Sequence, residues 1–363
     1  MKNYDVVIVG AGPMGCKVGE LLGKNHEVLI IDKKSEIGKP VQCTGFNSKR
    51  IFELSGVPKK VVINKVTRSK FFSPNGTYMT LKSKIPFYVL DRELFDKELA
   101  KKSEKNNVEI KMRTEFKNFR REKDFLEIKT NKGNFRTNLL IGADGPSSTV
   151  ARTANLPQPD NLLVGVQETI QEHFDLTCSE LWFGSKVSPD FFGWVVPEGD
   201  DQARIGVASS WKSSNYYQKF VEKRIGKNIK TKDKVSGLIR FGLIKSSVAD
   251  RVLLVGDAAC QVKPFSGGGL IYGLIAAKIA SKACEKSLKE EKYDYNFLKE
   301  NYDDKWKEKL KWPIIKGLWI SQIIHSSDWL IDLGFGIGKY LSPVVEGLFD
   351  EDLLEPIAKL RSN

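Results

Sequence analysis

Three carboxylates and one thiol stand where this chain can do chemistry: Asp32, Asp144, Asp257 and Cys43. Each acid follows a short apolar run. Asp32 ends the run from Glu27 to Ile31, and Asp144 lies in Gly142-Ala143-Asp144-Gly145-Pro146-Ser147-Ser148 after Leu139-Leu140-Ile141. Asp257 follows Val252 to Val255 and Gly256. Gly267, Gly268 and Gly269 come after a loop holding Pro264, where bare backbone N–H groups can meet an electron-rich ligand. Cys43 sits in Ile37 to Phe46, IGKPVQCTGF, a loop by its glycine and proline content, together with Thr44 and Phe46. Two readings of the thiol stand: a group carried back toward the far end of a ligand gripped at Asp32, or a loop thiol buried as cysteines often are.

The elements that must position these groups are legible in part. Tyr4 to Val9 is a buried strand, Gly10-Ala11-Gly12-Pro13-Met14-Gly15 follows it, a helical stretch runs to about Lys24, and the strand ending at Asp32 comes next. This is the dinucleotide fingerprint in its required context. Gly10 permits the turn, Gly12 lets backbone approach a pyrophosphate, Gly15 lets helix pack on strand, and Asp32 bonds ribose hydroxyls. At this point NAD and FAD are both open. Downstream, Arg251 to Leu274 reads as strand, acid, loop and a helix carrying Leu270, Leu274, Ala277 and Ala280 at helical spacing. A further helix begins at Asp91, its cap, with Leu94, Phe95 and Leu99 inward. Arg92 in its first turn is electrostatically misplaced unless an anion is near; simple solvation is the rival reading.

Residues 61–82 alternate as a hairpin around Pro74-Asn75-Gly76, and short strands are expected at 108–112, 114–119, 125–130 and 134–137. An antiparallel sheet is expected from 163–170, 178–184, 191–197 and 202–208, then a helix at 213–226 and a strand at 236–243. Within it, Phe192, Trp194 and Val196 alternate and face one side, either walling an apolar cavity or filling sheet core. Near the C-terminus, Trp312, Ile314, Ile315, Leu318, Trp319, Ile320, Ile323, Ile324, Trp329 and Leu330 form an apolar block. It is too interrupted to cross a bilayer and suits a lid touching the membrane interface or plain core.

Composition narrows the class. The chain has 363 residues, 41% hydrophobic and 28% charged, which is globular and large enough for two intertwined domains. A net charge of +13 fits nucleic acid, an anionic membrane face or mere solubility, and no nucleic-acid motif appears. Lys223, Arg224, Lys227, Lys230, Lys232 and Lys234, after Trp211, Tyr216, Tyr217 and Phe220, are a basic patch or a solvated face. Five scattered cysteines without C-x-x-C indicate a reducing compartment and no zinc or iron–sulfur centre. The first strand starts too early for a signal peptide, so the expected location is the cytoplasm, with peripheral contact at the inner face of the cell membrane left open.

GAGPMG with Asp32, GADGPSS and GDAACQVKPFSGGG together resemble the FAD-binding signature of the p-hydroxybenzoate-hydroxylase-like flavoproteins, over roughly residues 1–155 and 245–285. The resemblance implies FAD as cofactor, Asp257 on the ribityl chain, and the helix beginning near Gly267 aimed at the flavin pyrimidine. It also implies Arg92 against the cofactor and the backbone near Phe116 beside the adenine. The cofactor set it implies is Gly10, Gly12, Met14, Gly15, Asp32, Cys43, Thr44, Phe46, Arg92, Phe116, Asp144, Asp257, Gly268, Gly269 and Leu270. Within that class PVQCTG (40–45) is similar to the cysteine loop of the geranylgeranyl reductases, and PDFFGWVVP (189–197) to their P-x-x-Y-x-W-x-F-P strand. Phe192 replaces the usual Tyr and Val196 the usual Phe, so a hydrogen bond from the phenol is lost.

The fold implied is mixed α/β. A discontinuous Rossmann-like FAD-binding domain (1–60, 86–155, 245–290) carries an inserted antiparallel-sheet substrate domain (61–85, 156–244) and a C-terminal helical lid or lipid-contact segment (291–363). The activity implied is reduction of geranylgeranyl C=C bonds in archaeal-type ether lipids, by hydride from reduced flavin N5 plus a proton, with Cys43 as candidate donor. Phe192, Trp194, Val196 and Trp319 are the candidate substrate contacts. Ferredoxin and NAD(P)H both suit as reductant. Rival readings are an aromatic hydroxylase, a flavin halogenase and a non-catalytic prenyl-binding escort protein.

Overall fold

The structure, a computed structural model, describes residues 1–227 and 229–345, the side chains of 338–345 excepted. In chain order the elements are β1 (Lys2–Val9), α1 (Pro13–Leu22), β2 (Val28–Ile31), β3 (Phe46–Asn47), α2 (Arg50–Ser55), β4 (Val62–Phe72), β5 (Tyr78–Leu90) and α3 (Arg92–Lys105). Then come β6 (Glu109–Lys111), β7 (Phe116–Arg121), β8 (Leu126–Thr130), β9 (Gly133–Gly142), α4 (Thr149–Thr153), β10 (Leu162–Gln171), β11 (Cys178–Trp182), β12 (Gly193–Pro197) and β13 (Gln202–Ser209). The remainder is α5 (Ser213–Arg224), β14 (Thr231–Arg240), β15 (Val248–Ala249), β16 (Val252–Leu254), α6 (Leu270–Glu290), α7 (Tyr295–Leu298), α8 (Asp304–Ile324) and α9 (Asp328–Val345). The end of the expected C-terminal segment, residues 346–363, lies outside the described residues.

Two mixed sheets carry the chain. The first runs β15-β16-β9-β1-β2-β6, with β8 and β7 added antiparallel beside β9. From β16 to β6 it is parallel, and the apolar runs of β1, β2, β9 and β16 are what strands buried on both faces require. Register brings Val9 opposite both Ile31 and Gly142, Gly142 opposite Leu254, and Ile31 opposite Lys111. Five strands therefore end in one row, and GAGPMG, Asp32, GADGPSS and Gly256-Asp257 all leave from it. Helix α1 packs between α3 and α6 along this sheet.

The second sheet runs β14-β10-β13-β12-β11-β4-β5-β3. It is antiparallel except where β11 joins β4 in parallel, because the β4–β5 hairpin arrives from a distant part of the chain. The hairpin turn falls at Pro74-Asn75-Gly76 as expected, but β5 continues to Leu90. A register irregularity between Val66 and Arg68 carries it past Pro86, the usual place for proline in a ladder. The strands expected at 134–137 and 139–141 are one, β9, and the strand expected at 236–243 starts at Thr231 and stops at Arg240.

Alternation sorts the second sheet's faces. Val195, Ile205 and Val207 pack with Tyr217, Phe220 and Val221 of α5. Trp194 and Val196 turn to the other side, into a cluster with Phe183, Phe191, Phe192, Val262, Ile331 and Phe335. Helix α8 spans two cores: Trp306, Leu310 and Ile314 join the core of the first sheet, while Leu318 and Ile324 reach the aromatic cluster. No helix among the described residues is long and apolar enough to cross a membrane.

Candidate FAD and substrate site

The first corner is built on backbone. A Cβ on Gly15 would lie 1.9 Å from the Gly10 carbonyl oxygen, so helix α1 can sit this close to the turn only with glycine there. A Cβ on Gly12, the residue preceding α1, would meet nothing within 4 Å. Among the described residues no side chain caps α1, whose first-turn N–H groups open on that space. Asp32 accepts from the Ala11 amide at 2.8 Å and from the Lys34 amide at 2.8 Å, which pins the carboxylate beside the turn. The Thr114 amide donates to the Asp32 carbonyl, which brings the segment before Phe116 alongside; the Phe116 ring itself is buried in the first core.

The third corner shares the uncapped helix start, though side chains stand close to its glycines. Helix α6 begins after Gly269 with no capping side chain among the described residues, and Asp257 Oδ1 lies 2.5 Å from where a Gly269 Cβ would be. Asp257 keeps some accessible surface although protein surrounds it, as at the floor of a recess; burial pushes its carboxyl up, with the Arg92 charge opposing. Gln261 accepts from the Gly256 amide at 2.7 Å and donates to Tyr302 Oη at 3.0 Å, and Tyr302 donates to the Leu254 carbonyl at 2.5 Å. The acid turn is thus fastened to the C-terminal helices.

Three of the expected site residues have other partners or surroundings in the structure. Met14 does not present its side chain to a ligand. Cβ atoms on Gly256 and Gly273 would lie 2.6 and 2.5 Å from it, so Met14 bolts the first corner to the third, and only its backbone faces the opening of α1. Asp144 is satisfied within its own corner: it accepts from Ser148 Oγ at 2.6 Å and from the Thr149 and Val150 amides at 2.7 and 3.1 Å, capping α4. Trp319 is exposed and points away from the aromatic cluster, because the inward face of α8 is the one carrying Leu310, Ile314 and Leu318.

Arg92 joins the corners to the cysteine loop. Its guanidinium pairs with Asp96 at 3.0 Å and meets the Cys43 side chain. Burial works against the charge, but Asp96 and Cys43 more than restore it, so the pKa stands above the ordinary arginine value. This pairing answers the misplacement at the helix start. Arg92 Nε is buried without a hydrogen-bond partner among the described residues, a donor awaiting an acceptor.

The cysteine loop is locked to the second sheet. Cys43 Sγ accepts from the Gly45 amide at 3.4 Å, and Gly45, at φ +73, leaves no room for a side chain against the Leu90 carbonyl and Arg204. Arg204 donates to the Thr44 carbonyl at 2.7 Å, the Leu90 carbonyl at 3.2 Å and the Cys43 carbonyl at 3.5 Å, while pairing with Glu198 at 2.5 Å. Gln167 Oε1 accepts from Thr44 Oγ1 at 2.7 Å and from Trp194 Nε1 at 3.0 Å. One amide thereby joins the cysteine loop to the aromatic strand.

Phe192, just ahead of β12, shares the buried cluster with Trp194 and Val196. Phe46 stacks on Phe87 at 4.9 Å at its edge. Phe265, in the loop that leads to the three glycines, lies 6.2 Å from Phe192 and 6.3 Å from Phe183, so the third corner touches the aromatic cluster directly. Leu270 is buried in the first core. The sequence reading missed Gln167, Arg204, Phe183 and Phe265; Gln167 was the findable one, an amide that interrupts the apolar start of β10, Leu162 to Val166.

The residues fit a long flavin nucleotide. Two uncapped helix N-termini, an unmatched buried guanidinium N–H and open space over Gly12 are features that a phosphorylated, polyhydroxylated ligand would satisfy.

Fold and site together define a nucleotide-binding protein with a buried aromatic cluster beside the glycine–acid corners. A family model described as an FAD binding domain matches residues 3–237. Among curated proteins, an uncharacterized protein of Methanocaldococcus jannaschii is 32% identical over 98% of this chain and 91% of its own length. Digeranylgeranylglycerophospholipid reductases of M. jannaschii (31%, covering 94% of this chain and 92% of the relative) and Methanosarcina acetivorans (30%, 84% and 81%) follow. A geranylgeranyl bacteriochlorophyll reductase-like structure from Thermoplasma acidophilum superposes with a TM-score of 0.86 at 24% identity, over 93% of this chain and 92% of that one. A p-nitrophenol 4-monooxygenase from Pseudomonas putida gives 0.77 at 17%, over 94% and 95%. These two likenesses establish the fold alone. The chain belongs to the geranylgeranyl reductase family of flavoproteins: it is a flavin-dependent oxidoreductase, and its cofactor is FAD.

Proposed function

We propose that the protein reduces C=C bonds of geranylgeranyl chains, with archaeal-type ether lipids as substrates. The reading rests first on the Thr44–Gln167–Trp194 link, which holds a thiol loop against a buried aromatic cluster beside the corners. The names of the curated relatives support it.

Saturating one bond needs a hydride on one carbon and a proton on the other. Bound FAD, once reduced by ferredoxin or NAD(P)H, supplies the hydride. An isolated trisubstituted alkene accepts hydride poorly, so a proton must arrive early and in a dry place. Phe183, Phe192, Trp194 and Val196, buried together, would give a prenyl chain seated among them a dry and apolar surrounding. Cys43 Sγ is the atom proposed to hold the proton, with Arg92 and the Gly45 amide fixing its position. The proposed cofactor contacts are the backbone at Gly10, Gly12, Met14 and Gly15, the carboxylates of Asp32 and Asp257, Arg92, and the helix start at Gly268, Gly269 and Leu270.

The test is anaerobic incubation of the FAD-loaded protein with a digeranylgeranylglycerol lipid and dithionite, followed by mass spectrometry. Each saturated bond adds the mass of two hydrogens. A yellow protein that bleaches with dithionite yet leaves lipid masses unchanged overturns the proposal.

A further inference from the structure

The outward side of the α8–α9 helix pair is apolar in a way that neither core accounts for. Trp312 (58%), Trp319 (59%), Ile323 (66%) and Trp329 (67%) are all largely exposed, with Leu330, Leu333 and Ile337 also exposed. Helical spacing gathers them. Lys305, Trp312 and Trp319 recur every seven residues along α8, and Lys309, Lys316 and Ile323 form the adjoining column. The stripe is basic over its first turns and aromatic over its last. Lys305 and Lys309 are exposed, and Glu308 beside them is already engaged by Lys305 at 3.6 Å.

Helix α9 continues the surface. Ile331 and Phe335 insert into the aromatic cluster, and Asp328 and Asp332 tie the helix down at Ser185 (2.8 Å) and Asn75 (3.1 Å). Trp329, Leu330, Leu333 and Ile337 face outward. A helix apolar on both its inner and outer sides belongs in a core or in lipid, and no part of the described chain covers the outer side.

We infer that this face is a monotopic docking surface for an anionic lipid bilayer. Indole rings favour the headgroup boundary, bases at one end match anionic headgroups, and the chain's net charge of +13 has the right sign. The same two helices pack on the aromatic cluster with Leu318, Ile324, Ile331 and Phe335, so the bilayer lies one helix diameter from the proposed prenyl site. The inference leans on the proposed function only for the purpose of docking. Binding is read without turnover, so either can fail alone.

The test is flotation of the full-length FAD-loaded protein with phosphatidylglycerol–phosphatidylcholine vesicles and with phosphatidylcholine vesicles. The wild-type chain floats with the anionic vesicles, and brominated lipid quenches its tryptophan emission. Trp319→Ser with Trp329→Ser lowers partitioning at least about tenfold and removes the quenching. Lys305→Glu with Lys309→Glu weakens binding to anionic vesicles about tenfold and leaves neutral vesicles unaffected. Retention of the yellow FAD spectrum shows that each variant is folded. Protein that stays with the soluble fraction, or a double tryptophan variant that floats like wild type, overturns the inference. So does a vesicle-free dimer that Trp319→Ser with Trp329→Ser breaks, since the face would then join two copies of the chain.

Discussion

Replacing Gln167 by leucine tests the link between the cysteine loop and the aromatic strand. The amide oxygen accepts from Thr44 at 2.7 Å and from the buried Trp194 indole at 3.0 Å. Two such bonds contribute about 1 kcal/mol each, and an indole N–H left buried without an acceptor costs ~1–3 kcal/mol. Thr44 lies nearer the surface and can turn to water, so most of the cost falls on Trp194. The expected destabilisation is about 2–4 kcal/mol, measured as a urea midpoint shift at fixed saturating FAD, because bound cofactor itself stabilises the folded state. On a Thr44→Val background the same change costs about 1 kcal/mol less, since the shared oxygen has already lost one donor. Turnover falls about tenfold or more while FAD is retained, because the loop holding Cys43 loses its register against the aromatic cluster. A shift under about 0.5 kcal/mol, or additivity of the two changes, refutes the network argument. Full turnover in a clearly destabilised Gln167→Leu protein refutes its connection to function.

Cys43→Ala keeps FAD and loses prenyl turnover; full turnover in that protein removes the thiol as proton donor. Arg92→Gln raises the Kd for FAD about tenfold or more by flavin fluorescence titration, on the worth of a hydrogen bond to a charged group, and unchanged affinity means the unmatched Nε faces nothing. Gly12→Ala folds normally, since its Cβ meets nothing in the protein, yet binds FAD more weakly; Gly15→Ala fails to fold because its Cβ meets the Gly10 carbonyl. His325 at the α8 C-terminus is pushed down to about 4 by burial, with Asp190 opposing. Its unfolded form therefore binds the proton first. Stability from this residue is full above about pH 6.5 and is lost as pH falls toward 4. His325→Phe flattens the acid side of the thermal-unfolding profile, and an unaltered profile refutes the assignment.

The sequence made β1, β2, β9 and β16 of the first sheet readable because each ends in a short apolar run punctuated by glycine or acid. The alignment of their ends was beyond it, since register is a relation between distant segments and leaves no local pattern. Trp319 misled for a related reason. Residues 312–330 are apolar on every side, so periodicity could not say which face turned inward; the answer lay upstream, in Trp306 and Leu310 among charges. Asp144 and Asp257 look alike as glycine-flanked acids. Only the short helix after Asp144, with Ser148 and two amides ready to donate, separates a cap from an open carboxylate. Met14 belongs to the nucleotide turn, and the packing of its side chain against Gly256 and Gly273 is invisible without the third dimension.

Arg204 has a consequence for how a long substrate enters. A guanidinium that gathers carbonyls from residues 43, 44 and 90 while paired to Glu198 makes the thiol strap a fixed wall. Swinging it aside would leave Arg204 paired with Glu198 but strip it of the loop carbonyls, and a hydrogen bond to a charged group is worth about 1.5–3 kcal/mol. Helix α9 closes the same aromatic cluster with looser ties, two carboxylates and a pair of apolar side chains. Under the proposed function, a twenty-carbon tail would come in along that helix and rest against a rigid backstop.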